Sequence, residues 1–207
     1  MSPMFSACAA KFFENYERDA RLRWSPEDLA AQRAFVTARV SGRPWLDWSS
    51  PGAALDLVQA NRAQASVGPA EMYDAAVLAG PVVELLEPAW LFREAAAALR
   101  PGGRLIGIVP CLRDNSPESR TFADLAAETL WPYYTAEELL EMLREEGWRV
   151  ELETGGFFTI PRFKEAVLKG ELGFKGFNAI FAGLAAQGYD PIEIGWGELR
   201  FAATVNC

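Results

Sequence analysis

The chain has 207 residues, 50% of them hydrophobic and 23% charged, with a mean hydropathy of -0.01, the balance of a soluble globular protein that buries its own core. Its 28 acidic and 20 basic side chains give a formal charge of -8 and a pI near 4.8, a field that repels nucleic-acid phosphates and anionic lipid surfaces. Histidine is absent, which excludes Ser-His-Asp triads, Cys-His dyads and His-rich zinc sites together.

The opening segment carries Phe5, Phe12, Phe13 and Tyr16 at helical spacing and predicts an amphipathic helix ending near Arg23. Ser25 then offers a cap, Pro26 suits a first helical position, and Glu27 and Asp28 complement the positive end of a helix dipole, which predicts a helix over 26–40. Residues 1–43 thus read as N-terminal helices. Gly42 and Pro44 stop them, residues 44–48 read as a short strand before the turn-rich Ser49-Ser50-Pro51-Gly52, and residues 53–65 read as a helix.

The middle of the chain is more regular. Ala75-Ala76-Val77-Leu78-Ala79 is an uninterrupted apolar run closed by Gly80-Pro81, as a strand buried on both faces requires. Glu87-Pro88 opens a helix that reaches about Leu99, Pro101-Gly102-Gly103 breaks it, and residues 104–110 form a second buried strand. Strand, helix and strand in this order predict a crossover unit in a parallel sheet. A helix is expected near 121–130. Thr135 and Glu138 form a capping box for a helix that Gly147 ends, and Trp148 to Glu153 alternates apolar with charged residues, as a strand near a sheet edge does. The last strand is expected over 197–205. Residues 155–195 between these two strands are rich in glycine and phenylalanine and read as an insertion or cap with helices near 162–169 and 178–187.

Cys8, Cys111 and Cys207 form neither a disulfide framework nor a CxxC motif, which fits a reducing cytoplasm. No apolar run is long enough to span a bilayer and no secretory leader is indicated. Neither a membrane nor a bound metal is expected.

The span Tyr73-Asp74-Ala75-Ala76-Val77-Leu78, then Leu86-Glu87-Pro88, Phe92-Arg93-Glu94-Ala95 and Leu99-Arg100-Pro101-Gly102-Gly103-Arg104-Leu105 resembles class I S-adenosylmethionine-dependent methyltransferases, as do Tyr134 to Leu139 and Glu146-Gly147-Trp148 further on. The resemblance implies one α/β domain over 1–207, with a Rossmann-like, mostly parallel sheet flanked by helices, an antiparallel C-terminal edge strand and a shortened N-terminal half. It also implies S-adenosylmethionine as cofactor. In such a sheet ligands bind at the strands' carboxyl ends, where strand order turns, so Ala79, Gly80 and Pro81 together with Pro110 and Cys111 should border the site.

The family's first strand runs into a glycine-rich loop. Leu46-Asp47-Trp48 matches its start, whereas Ser49, Pro51 and Ala53 stand on the three glycine positions and Gly52 is displaced by one. The resemblance therefore assigns Asp47, Ser49 and Gly52 to the cofactor loop, while Pro51 and Trp48 fill space that the cofactor would use, so weak or absent binding is expected. Two further strands, the second ending in an acid for the ribose hydroxyls, usually precede the strand at Ala75; the interval here suffices for one helix and a turn.

Catalytic residues are not identified by this pattern. Asp47, Glu84 and Asp114 are candidate bases and Tyr133 and Tyr134 candidate substrate anchors, with Asp114 in Asp-Asn-Ser-Pro better suited to a turn. Three functions compete: a methyltransferase acting on a small molecule, a catalytically inactive scaffold or regulatory subunit that binds a protein partner or a second copy, and an α/β domain for another ligand.

Overall fold

The computed structural model describes residues 26–40, 45–47, 62–64, 73–79, 87–129, 132–153, 175–190 and 196–205. In chain order these form α1 (Pro26–Val40), β1 (Trp45–Asp47), β2 (Arg62–Gln64), β3 (Tyr73–Ala79), α2 (Pro88–Ala98), β4 (Leu99–Leu112), α3 (Pro117–Thr129), α4 (Ala136–Glu145), β5 (Trp148–Glu153), α5 (Lys175–Ala186) and β6 (Trp196–Val205). The six strands make one sheet in the order β2-β1-β3-β4-β6-β5. The first four are mutually parallel, and β6 runs antiparallel to both of its neighbours.

The core of the sheet is the β3-α2-β4 crossover. Asp74 to Ala79 are all buried, without alternation, because helices cover both faces. Glu87 caps α2, its side chain accepting from the Trp90 N–H at 3.0 Å, and Pro88 occupies the first turn where its missing N–H costs nothing. The return strand starts at once: Leu99 pairs with Tyr73, the Pro-Gly-Gly turn bulges outward, and Arg104 resumes pairing opposite Ala75. Gly102 sits at φ 75°, and a Cβ on Gly103 would lie 2.9 Å from the Arg100 carbonyl oxygen, so the two glycines are required by torsion and by space respectively. Within the same bulge Arg100 pairs with the buried Asp74. The Tyr-Asp and Leu-Arg-Pro-Gly-Gly segments are therefore two halves of one structural lock at the amino ends of the strands.

Alternate residues feed two cores. Trp45, Ala75, Val77, Ala79, Ile106 and Ile108 pack under Phe35, Val36 and Val40 of α1, whose i, i+1, i+5 positions share a face. Leu46, Ala76, Leu78, Leu105 and Val109 point the other way, against Leu91, Phe92 and Ala95 of α2 and Leu139 and Leu143 of α4. Gly107 lies on this second side beneath the ring of Phe201, its partner in β6, with no room for a Cβ.

The structure corrects two sequence expectations and adjusts several boundaries. Residues 62–64, read as the end of a helix over 53–65, form a strand parallel to β1, because the carbonyls and N–H groups of that edge are satisfied by Arg62-Ala63-Gln64. One added strand therefore exists in the interval that seemed to hold only a helix and a turn; residues 53–61 lie outside the described residues. The antiparallel C-terminal strand is present but lies one place in from the edge, since β6 hydrogen-bonds both β4 and β5 and leaves β5, with exposed Arg149 and Glu151, as the border. The first of the N-terminal helices and the helix expected near 162–169 fall outside the described residues. Helix α3 begins at Pro117 rather than near 121. Helix α5, expected over 178–187, spans Lys175–Ala186 and seats Gly183 against Leu125 of α3. No helix among the described residues is long and apolar enough to cross a membrane.

Candidate functional site

Strand order turns between β1 and β3: the chain builds outward through β2, then returns to the other side of β1. The carboxyl ends of these strands are the place where open parallel sheets take ligands. Asp47 ends β1, level with Gln64 at the end of β2 and with Val77 and Ile106. One row further out are Ala79, Ile108 and Arg200; beyond them Pro110 pairs with Glu198. The sheet thus brings together Asp47 and Ala79, two residues 32 apart in number that the sequence assigned to one site. Ala79 is 1% exposed and belongs to the core under α1, so it contributes floor and backbone. Ser49, Gly52, Gly80, Pro81 and Glu84 lie outside the described residues. Pro110 is half-buried at the rim, and Cys111 is buried in the opposite core.

Asp114 and the candidate anchors have structural work. Asp114 accepts from the Ser116 N–H at 3.1 Å, the Ser119 hydroxyl at 3.0 Å and Arg113 Nε at 3.1 Å, while the Ser116 hydroxyl accepts from the Ser119 N–H and so caps α3. Partial burial alone would raise the Asp114 pKa, but the hydrogen bonds outweigh it and bring it down to about 2. A carboxylate held so firmly ionised is a poor base at neutral pH. Tyr133 is 8% exposed and meets Phe122 edge-on, ring centroids 5.2 Å apart, which makes it part of the α3 core and not a substrate anchor. Burial and the charges of Glu87 and Glu138 raise the Tyr134 pKa, so its phenol keeps its proton. The Tyr134 carbonyl accepts from the Leu112 N–H at 2.9 Å, tying the exit of β4 to the Thr135 capping box.

The Asp114 turn has a pH signature. Its folded pKa lies below the ordinary 3.8, so its contribution is complete above about pH 4 and disappears as pH falls through 2. With the side chain 41% exposed, solvent screening trims this to about 1 kcal/mol. Urea unfolding of Asp114→Asn is expected to show a deficit of that size at pH 7 that closes near pH 2; a deficit unchanged across this range contradicts the assignment.

A cluster that sequence reading missed lies toward the same end of the sheet, in the rows of Ala79 and Pro110. Glu198, 2% exposed, is bonded through one carboxylate oxygen by Gln32 Nε2 from α1 and through the other by Arg200 Nε from its own strand. The signal was present as alternation: Glu198 and Arg200 share the strand face that Ala202 occupies, and Gln32 stands three and four residues before Phe35 and Val36 on the buried face of α1. Strand β2, which ends at Gln64, was missed as well, hidden by the helical reading of its segment.

No family model and no curated protein sequence matches the chain. Solved structures do. The YcgJ protein from Bacillus subtilis superposes with a TM-score of 0.63 at 11% identity, covering 88% of this chain and all of that one (100%). Geranyl diphosphate C-methyltransferase from Streptomyces coelicolor A3(2), solved with Mg2+, geranyl diphosphate and S-adenosyl-L-homocysteine, gives 0.53 at 12% identity, covering 86% of this chain and 79% of that one. The [4+2]-cyclase SpnF gives 0.52 at 20% identity, covering 85% and 81%. The chain has the class I methyltransferase fold. At these identities the likeness speaks for architecture, and chemistry has to be argued from the site.

Proposed function

We propose that the chain binds S-adenosylmethionine at the carboxyl ends of β1 and β3 and methylates a small-molecule acceptor. The observation that carries this reading is the turn in strand order with Asp47 at the carboxyl end of β1, in a sheet of the methyltransferase fold. The order of residues along the chain supports a cofactor at this end of the sheet. Asp47, Ser49 and Gly52 would border its ribose and methionine portions, with Ala79, Gly80 and Pro81 on the facing strand exit. At the end of β2 the chain has Gln64, a neutral amide that both donates to and accepts from hydroxyls, where the family has an acid.

When bound, the cofactor supplies a methyl group already activated on a sulfonium sulfur. The protein's share is to hold the acceptor in line and to exclude water. Asp47 and Glu84 are the acids that would take a proton from the acceptor. Asp114, locked in its turn, is not one of them.

The same loop favours a second reading. Ser49, Pro51 and Ala53 add a Cβ or a ring where the family has glycine, which supports a scaffold that binds a protein partner in place of a cofactor. SpnF, described as a cyclase, is a neighbour on the same fold. Titration calorimetry with S-adenosylmethionine and S-adenosylhomocysteine separates the two. We expect weak binding, in the micromolar range or above, set by Pro51; a sub-micromolar dissociation constant would refute that expectation, and no heat with either compound would sink the methyl-transfer reading.

A further inference from the structure

We propose that Arg200, oriented by Glu198 and Gln32, recognises an anionic group, carboxylate or phosphate, on the acceptor molecule; this rests on the methyl-transfer reading for the identity of the ligand, though not for the existence of the anion site. Glu198 is 2% exposed and Gln32 3%, and both carboxylate oxygens of Glu198 are bonded. The Arg200 side chain keeps 15% exposure, so the cluster opens to solvent on the arginine's side. Only Nε of Arg200 is engaged by Glu198; among the described residues its Nη1 and Nη2 have no acceptor. A guanidinium fixed at one nitrogen, with its other donors free, is prepared for two parallel hydrogen bonds to a carboxylate or phosphate.

Position supports the assignment. Arg200 lies in the row of Ala79 and Ile108, and Glu198 one row nearer the carboxyl edge, opposite Pro110. Three strand spacings separate β1 from β6, or roughly 14 Å at about 4.8 Å each, a span that a small molecule bridges with its reacting atom near Asp47 and its anionic end at Arg200. The global charge of -8 repels anions, and Glu198 cancels much of the arginine's own charge, so recognition here comes from the direction of the N–H donors and not from the field. Glu198 and Gln32 are positioning residues.

The test uses the full chain, inorganic phosphate and acetate as separate probes, and S-adenosylhomocysteine as an independent titrant. Saturable binding of one probe is expected in the native chain. It should weaken about tenfold in Arg200→Lys, which keeps the charge and loses the fork, and vanish in the triple variant Gln32→Leu, Glu198→Leu, Arg200→Met, which replaces the whole cluster with apolar groups. Which probe binds tells phosphate from carboxylate acceptors. Neither probe saturating at concentrations on the order of 10 mM, or binding that survives in the triple variant, overturns the proposal. Phosphate or acetate binding that depends on Arg200 supports the anion site even when S-adenosylhomocysteine gives no heat, a result that removes the methyl-transfer reading alone.

Discussion

Gly107→Ala is expected to destabilise the protein by about 3 kcal/mol, the upper range for overpacking a close-fitted core. A Cβ at this position falls inside the ring of Phe201, which is 0% exposed and held among Val109, Leu139 and Leu199. Neither partner has a free direction, because β4 and β6 are hydrogen-bonded in register at this very pair. For a chain of this size the loss corresponds to roughly 10 °C in Tm. Phe201→Ala alone should cost about 3–5 kcal/mol through the cavity it leaves. In the double variant the added methyl occupies part of that cavity, so the combined loss is expected to fall short of the sum by about 1 kcal/mol or more. Chemical unfolding of the three variants checks this, and strict additivity would show that the ring and the glycine do not compete for one space.

Glu198→Leu is expected to lower stability by about 3 kcal/mol, because it leaves a largely buried guanidinium without its counter-charge. The triple replacement of Gln32, Glu198 and Arg200 by Leu, Leu and Met should return to within about 1 kcal/mol of the native chain, since neither charge of the ion pair then remains to be desolvated. The pattern is informative because it parts two reasons for the cluster. If the polar groups stabilise the fold, the triple variant is the worst of the series. If they are present for recognition, it folds well and has lost its anion site. Urea unfolding of both variants, set beside their phosphate titrations, decides between these outcomes.

The elements most legible in the sequence are those whose patterns are local. The apolar run ending at Ala79, the capping box at Thr135 and Glu138, and the first turn of α1 at Pro26 all stand where composition and spacing place them. In α4 both bonds of the box are made, Glu138 N–H to the Thr135 hydroxyl at 3.2 Å and Thr135 N–H to the Glu138 carboxylate at 2.8 Å. The Pro-Gly-Gly motif was legible too, but its meaning changed. It carries the family likeness, yet through Asp74 and Arg100 it works at the amino ends of the strands, away from their carboxyl ends. What identified the fold thus says little about the chemistry.

The candidate site was legible only in part. Asp47 and Ala79 were placed at the strand exits by analogy, and the sheet brings those exits together. Strand β2 was unreadable because three residues, Arg62-Ala63-Gln64, carry no periodicity that separates a strand from the end of a helix; pairing with β1 decides it.

The sequence by itself determined which segments are strands and helices wherever a run of side chains had to be dry on one face or on both, since that requirement acts along the chain within a few residues. Only the tertiary structure decided that β6 enters between β4 and β5, and that Gln32 meets Glu198 across 166 positions. Strand order and long-range polar contacts depend on which hydrogen-bonding edges and which buried charges find each other in space, and no local spacing of residues encodes that choice.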